Sequence, residues 1–111
     1  MGTETQQSAG RAEAQEGGVD VSVVIPSYNE NESLPELSAR LKDVLGARSA
    51  QWEVWFIDDG SHDGSVDTLR RLHAEDARFK MVRFRRNYGK SAALAVGFER
   101  ARGNYVITMD A

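Results

Sequence analysis

A chain of 111 residues, 41% hydrophobic and 28% charged, is long enough for one globular domain and ordinary in make-up. The absence of cysteine excludes a disulfide scaffold and a thiolate metal site, and no apolar run nears the roughly 18 residues of a membrane helix. The net charge of −3 lies wholly in the first twenty residues, where Glu4, Glu13, Glu16 and Asp20 face Arg11 alone, so the remainder is neutral. Residues 1–19 are rich in Gly, Gln, Ala, Ser and Glu and lack periodicity. They read as a disordered leader, and without an apolar core they are not a secretory signal. Val21-Ser22-Val23-Val24-Ile25 is the first strand, stopped by Pro26. A helix follows, with Ser33 and Glu36 at capping-box spacing, Pro35 in the first turn, and Leu34, Leu37, Leu41, Val44 and Leu45 as its apolar stripe; Gly46 is the expected stop. Residues 53–57 form strand two, followed by a helix with Val66, Leu69 and Leu72 on one face. Residues 79–84 form strand three. The third helix covers 91–102, with Leu94, Phe98 and Ala101 on its apolar face, and Gly103 ends it. Residues 104–109 form strand four.

Strands alternating with helices across short turns imply an α/β domain, a Rossmann-like, mostly parallel sheet with flanking helices. The last strand reaches its polar tip as the sequence stops, where a doubly wound sheet continues with a helix. Residues 20–111 are therefore expected to be the amino-terminal part of a larger domain, with a complete, small flavodoxin-like protein as the alternative.

The chemistry-bearing residues fall just after strands. Val54-Trp55-Phe56-Ile57-Asp58-Asp59-Gly60-Ser61 is a buried-type apolar run that ends in two carboxylates and a glycine turn. Adjacent acids cannot both be packed away without partners, and open α/β sheets place ligands beyond the carboxyl ends of their strands. A ligand role for at least one of Asp58 and Asp59 is the expectation. Asp63 can cap the next helix. A calcium loop starting at Asp59 fails because its twelfth position is Arg70. After strand one come Pro26-Ser27-Tyr28-Asn29-Glu30, where Tyr28 can stack on a base and Glu30 can accept from ring N–H groups. A polar turn with Asn29 or Asn31 as helix cap explains the same residues. Arg85-Arg86-Asn87-Tyr88-Gly89-Lys90-Ser91 ends like a phosphate loop, but Phe84 stands where a Walker motif needs glycine. A helix start flanked by basic side chains still favours an anion, whereas arginines on a solvated turn are the plainer alternative. Residues 53–76 hold seven acids and two bases, and residues 78–102 hold eight bases and one acid. This segregation can steer an anion, although a solvated surface with alternating charge blocks is the plainer account. Nucleic acid is a poor partner for a neutral fold whose acids line the same rim. No Gly-x-Gly-x-x-Gly follows a strand. His62 and His73 read as surface or helix residues, and Trp52 and Trp55 as core.

Together, four blocks resemble family 2 glycosyltransferases of the GT-A fold, in particular the polyprenyl-phosphate, dolichol-phosphate mannosyltransferase-like group. They are Val23-Val24-Ile25-Pro26-Ser27-Tyr28-Asn29-Glu30, Ile57-Asp58-Asp59-Gly60-Ser61, Arg86-Asn87-Tyr88-Gly89-Lys90 and Met109-Asp110-Ala111. The resemblance covers residues 21–111 and implies the roles. Pro26, Tyr28 and Glu30 would line the base and ribose. Asp58, Asp59 or both would accept the base N–H. Asn87, Gly89 and Lys90 would shape the donor pocket, with Lys90 near the phosphates. Asp110 would be the first acid of an Asp-x-Asp metal motif for Mg²⁺ or Mn²⁺, with Ala111 at its centre; the second acid falls beyond the sequence.

The resemblance further implies inverting transfer from a UDP- or GDP-type sugar donor to an acceptor, expected to be polyprenyl phosphate, as in cell-wall or glycan biosynthesis. The acceptor half and any membrane helices would belong to a missing carboxy-terminal part, which would hold the protein at the cytoplasmic face of a membrane. This stretch alone is expected to be inactive and to self-associate through its uncovered sheet. The competing expectation is a non-catalytic nucleotide-binding module. A receiver-like signalling domain fits poorly, because its acid pair would follow strand one.

Overall fold

The structure, a computed structural model, describes residues 18–48 and 51–111. All but the last two residues of the expected leader lie outside the described residues. Seven elements alternate: β1 (Val21–Ser27), α1 (Leu34–Arg48), β2 (Trp52–Asp58), α2 (Ser65–Glu75), β3 (Phe79–Arg83), α3 (Lys90–Arg100) and β4 (Tyr105–Thr108). The sheet is wholly parallel in the order β3-β2-β1-β4. Its two central strands are covered on both faces, which is why they read as nearly continuous apolar runs.

The strand period of two divides the core. Val23, Ile25, Trp52, Val54, Phe56 and Phe79 meet Leu34, Leu41 and Leu45 of α1 and Leu69 and Leu72 of α2. Val24 and Ile57 point the other way, against Ala93 of α3. Each fully buried Leu, Ile or Phe contributes about 1.5–3 kcal/mol, so the first layer carries most of the apolar stabilisation. Trp52 is buried as expected, and Trp55 is half-buried against the smaller layer.

Several expectations need correction. Pro26 does not stop β1, because the strand pairs on through Pro26 and Ser27 with Ile57 and Asp58. Carbonyl directions alternate: Val24 O accepts from Met109 and Ser27 O from Asp59. Pro26 therefore turns its missing donor toward the β4 side, where pairing already ended at Thr108. Gly46 does not end α1, which continues to Arg48. One exposed helical glycine costs only about 1 kcal/mol, too little to stop a helix already anchored by Leu41 and Leu45. Val44 lies off the buried stripe, 57% exposed, and Ser38 takes a buried place instead. In α3, Phe98 is exposed, and the buried positions are the small Ala93 and Gly97. A Cβ on Gly97 would lie 2.2 Å from Val24 Cγ1, so the helix rides directly on β1 and leaves no room for a large stripe. The side chains of β4 are exposed throughout, with Tyr105 72% exposed.

Asp76 ties the α2–β3 corner to α1. Arg78 Nε and Nη2 donate to its two oxygens at 3.0 and 2.8 Å, and Lys42 Nζ lies 3.6 Å away. Arg78 also lies over the Trp52 ring at 4.1 Å. The Arg78 guanidinium holds the Asp76 carboxyl down to about 2. A carboxylate whose pKa falls on folding stabilises the fold fully above its unfolded value and ceases to do so as pH falls toward the folded one. Asp76→Asn should therefore cost about 1–2 kcal/mol at pH 7 in urea melts, and the gap to the unmodified chain should close between about pH 4 and 2. A gap independent of pH in that window would show that the contact contributes no linkage.

Candidate functional site

Four segments leave the carboxyl ends of the strands: 28–33 after β1, 59–64 after β2, 84–89 after β3 and 109–111 after β4. Three sets of contacts join them into one rim.

The first set joins the β1 and β2 segments. Asn29 adopts a positive φ of 52°, which asparagine tolerates better than most residues. Its N–H donates to Ser61 Oγ at 2.8 Å, and its Oδ1 accepts from the His62 amide at 2.9 Å. Ser61 N–H in turn donates to Asp58 Oδ2 at 3.0 Å. Asn31 N–H reaches Asp63 Oδ2 at 3.1 Å, and the Thr68 hydroxyl donates to Asn31 Oδ1. Asp63 Oδ1 also accepts the Ser65 amide at 3.1 Å, but the cap position of α2 is Gly64, one residue later than expected, and it carries no side-chain cap hydrogen bond. Between these segments lies an open depression lined by Asn29, Glu30, Asn31, Glu32, Ser33 and Asp63. Glu30 is half-buried in it, and Tyr28 stands beside it 44% exposed.

The second set joins the β2 and β3 segments through Asp59. Tyr88 N–H donates to Oδ1 at 2.7 Å and Gly89 N–H to Oδ2 at 3.0 Å. Gly60, at φ +83°, packs on the Arg86–Asn87 backbone. Around the same turn, Tyr88 meets the Phe84 ring edge-on at 5.6 Å, and the Arg86 guanidinium stands 4.8 Å from the Tyr88 ring. The third contact joins the start of α3, directly after the β3 segment, to the β4 segment: Lys90 Nζ pairs with Asp110 Oδ1 at 2.8 Å, both side chains largely exposed.

The expected site residues thus fall along one rim, with distinct surroundings. Pro26 is half-buried in β1. Asp58 is fully buried. One of its oxygens holds Ser61, whereas Oδ1 has no hydrogen-bond partner; the same is true of the buried hydroxyl of Ser27, its register neighbour. With no exposed surface, Asp58 shapes the turn beneath the rim, whereas Asp59 keeps 5% of its surface exposed. Asn87 is exposed, Gly89 has φ +102° with open space around it, and Ala111 packs against the larger core layer. Asn29, Asn31 and Ser61, the residues that join the loops, were not assigned this work from sequence. Their signal was the asparagine-rich turn, which is equally compatible with simple helix capping.

Among the described residues no three acids or histidines converge as a ready metal cage. Mg²⁺ and Mn²⁺ nonetheless suit an exposed carboxylate such as Asp110, because such ions commonly use one or two carboxylates and complete their shells with waters and substrate phosphates.

Residues 22–111 match the family described as Glycosyl transferase family 2. The chain is 50% identical over 92 residues to the undecaprenyl-phosphate 4-deoxy-4-formamido-L-arabinose transferase of Aeromonas hydrophila subsp. hydrophila, covering 82% of this chain and 28% of that protein. The protein of the same name from Pseudomonas syringae pv. syringae is 46% identical over the same length, 27% of its own. Among solved structures, the mannosyltransferase PcManGT of Pyrobaculum calidifontis, in complex with GDP-Man and Mn²⁺, superposes with a TM-score of 0.68 at 26% identity, over 81% of this chain and 26% of that one. S. aureus TarS matches in fold with a TM-score of 0.68 at 23% identity, over 83% of this chain and 16% of its own.

Proposed function

The chain belongs to glycosyl transferase family 2, and from that premise we propose that it is the donor-binding half of a GT-A domain that moves a sugar from a nucleoside diphosphate to polyprenyl phosphate, with inversion. The observation that carries this reading is the rim itself, four strand-end segments joined by Asn29–Ser61, Asp59–Tyr88/Gly89 and Lys90–Asp110. Tyr28 offers a ring face for the base. Glu30 and Asp59 offer acceptors for its N–H groups, which uracil and guanine both present. Pro26, Asn87, Gly89 and Ala111 border the donor.

Inverting transfer breaks the bond between the anomeric carbon and the diphosphate while an oxygen attacks from the opposite face. The leaving diphosphate gains negative charge, and Lys90 provides a cation at that end. Asp110 would hold Mg²⁺ or Mn²⁺, which when bound neutralises charge on the phosphates. A phosphate acceptor is already ionised near neutral pH and needs less help from a base than a sugar hydroxyl does. The chain spans 28% of the first relative's length, so acceptor binding and transfer are proposed for the whole protein, with this part binding donor without turnover. No helix of the described residues is long and apolar enough to cross a membrane. Placement at the cytoplasmic face is part of the same proposal, as is self-association through exposed β4.

Calorimetry of the chain with UDP and GDP, with and without Mn²⁺, tests the reading. One nucleotide should bind, Mn²⁺ should tighten it about tenfold or more, and Asp110→Asn should remove that increment while leaving the metal-free affinity. Failure to bind either nucleotide with Mn²⁺ present would refute the reading.

A further inference from the structure

Asp59 sits between the two ends of the rim. Its oxygens accept two consecutive main-chain amides, Tyr88 at 2.7 Å and Gly89 at 3.0 Å, and the residue is nearly buried. A carboxylate closed on successive amides fixes the orientation of the peptide between them as well as its distance. That peptide leads directly into α3: Gly89 is its N-cap residue, and Lys90, the next, pairs with Asp110. Beyond Asp59 the turn is held by packing of the Phe84, Tyr88 and Arg86 side chains rather than at its cap. The cap carries no side-chain hydrogen bond, and Gly89 has no side chain and open space around it.

We infer that Asp59 is a positioning residue for the diphosphate end of the donor site, acting through the Tyr88–Gly89 peptide on Lys90 and Asp110. The inference rests on the donor-binding reading above and adds to it. A residue serving only as base acceptor would present a free carboxylate edge. Here each oxygen already accepts an amide, so a base N–H must share a carboxylate that is holding the phosphate-side loop. Base recognition and phosphate placement then meet in one side chain, and Asp59 is felt at the end of the donor that it does not touch.

Inorganic pyrophosphate, which has no base, separates the two roles. The full chain and its Asp59→Asn form are titrated with Mn²⁺–pyrophosphate and, separately, with uridine and guanosine. Asn keeps the shape of Asp but turns an amide donor toward one of the two N–H groups. Losing a charge-assisted bond of this kind should weaken pyrophosphate about tenfold. Gly89→Ala, which strains the turn at φ +102° and leaves Asp59 intact, should weaken pyrophosphate comparably. If Asp59→Asn lowers nucleoside affinity and leaves pyrophosphate untouched, the inference is overturned. Should Asp59→Asn fail to fold in a circular dichroism melt, Gly89→Ala decides, and full pyrophosphate affinity in that variant overturns it. An unmodified chain that binds neither pyrophosphate nor a nucleoside diphosphate fails before any substitution is made, which is the distinct failure of the donor reading and overturns both.

Discussion

Gly60→Ala lowers the melting temperature by about 10 °C or more, the expected result of about 2–4 kcal/mol in a domain of this size. Two costs add. At φ +83° an L side chain is strained, and a Cβ there would lie 2.5 Å from the Arg86 carbonyl carbon, 2.7 Å from Asn87 N and 2.8 Å from Arg86 Cα. Those are main-chain atoms, so no rotamer change relieves the contact. The β3 segment must move outward, away from the Asp59 carboxylate that holds its next two residues. Donor affinity should fall with stability. Gly46→Ala is the matching control: nothing lies within 4 Å of its Cβ position in a helix interior, so alanine should raise stability by about 0.5–1 kcal/mol. Thermal melts of the two variants followed by circular dichroism check both signs. A Gly60→Ala melt within about 2 °C of the parent would mean that the Arg86–Asn87 backbone yields freely and that the rim is softer than its contacts imply.

The same glycine shows what the sequence could and could not reveal. Apolar runs ending in Asp58-Asp59-Gly60 or Met109-Asp110 are local signals, since the strand period, the turn residue and the carboxylates all lie within one short window. The alternation of strands and helices and the placement of acids just after strands follow from such windows, whereas the order β3-β2-β1-β4 in the sheet does not. The partners of those residues are not local. Asp59 closes on amides 29 and 30 residues away, and Asn29 on Ser61 32 residues away. A main-chain amide leaves no mark in a sequence, so the local window did not show that each Asp59 oxygen already accepts an amide, about half of what a carboxylate can accept. The buried stripe of α3 was misplaced for a related reason. Helical spacing favours large apolar residues such as Phe98, whereas close approach to Val24 selects Ala93 and Gly97, which look unremarkable until the distance is known.

Glu53 is the other residue whose work is invisible in its neighbourhood, and its replacement carries the second large effect. It lies in central strand β2 and is 1% exposed. One oxygen accepts from Ser22 Oγ at 2.6 Å and from the Arg102 amide at 2.7 Å, and the other lies 3.1 Å from Lys80 Nζ. Ser22 Oγ in turn accepts the Gly103 amide at 2.8 Å. One carboxylate thus joins β1, β2, β3 and the turn before β4 at the amino ends of the strands. Glu53→Ala leaves the Ser22 hydroxyl and the Arg102 amide without that acceptor and should cost about 3–5 kcal/mol, whereas Glu53→Gln, with one acceptor oxygen and the same shape, should cost about 1–3 kcal/mol. Burial pushes this carboxyl up, but the Ser22 hydroxyl, the Arg102 amide and Lys80 outweigh it, and the net displacement is downward from 4.5. Its contribution is therefore complete above about pH 4.5, and the gap between Glu53→Gln and the parent should narrow as pH falls below that. The network is separated from the rim by most of a seven-residue strand, on the order of 15 Å. Urea melts should register both substitutions, while calorimetric donor affinity, measured where the Gln form is fully folded, should be unchanged. A donor affinity that falls with Glu53→Gln would mean that the sheet transmits strain from its amino ends to the rim, and that the two ends of β2 cannot be treated as independent.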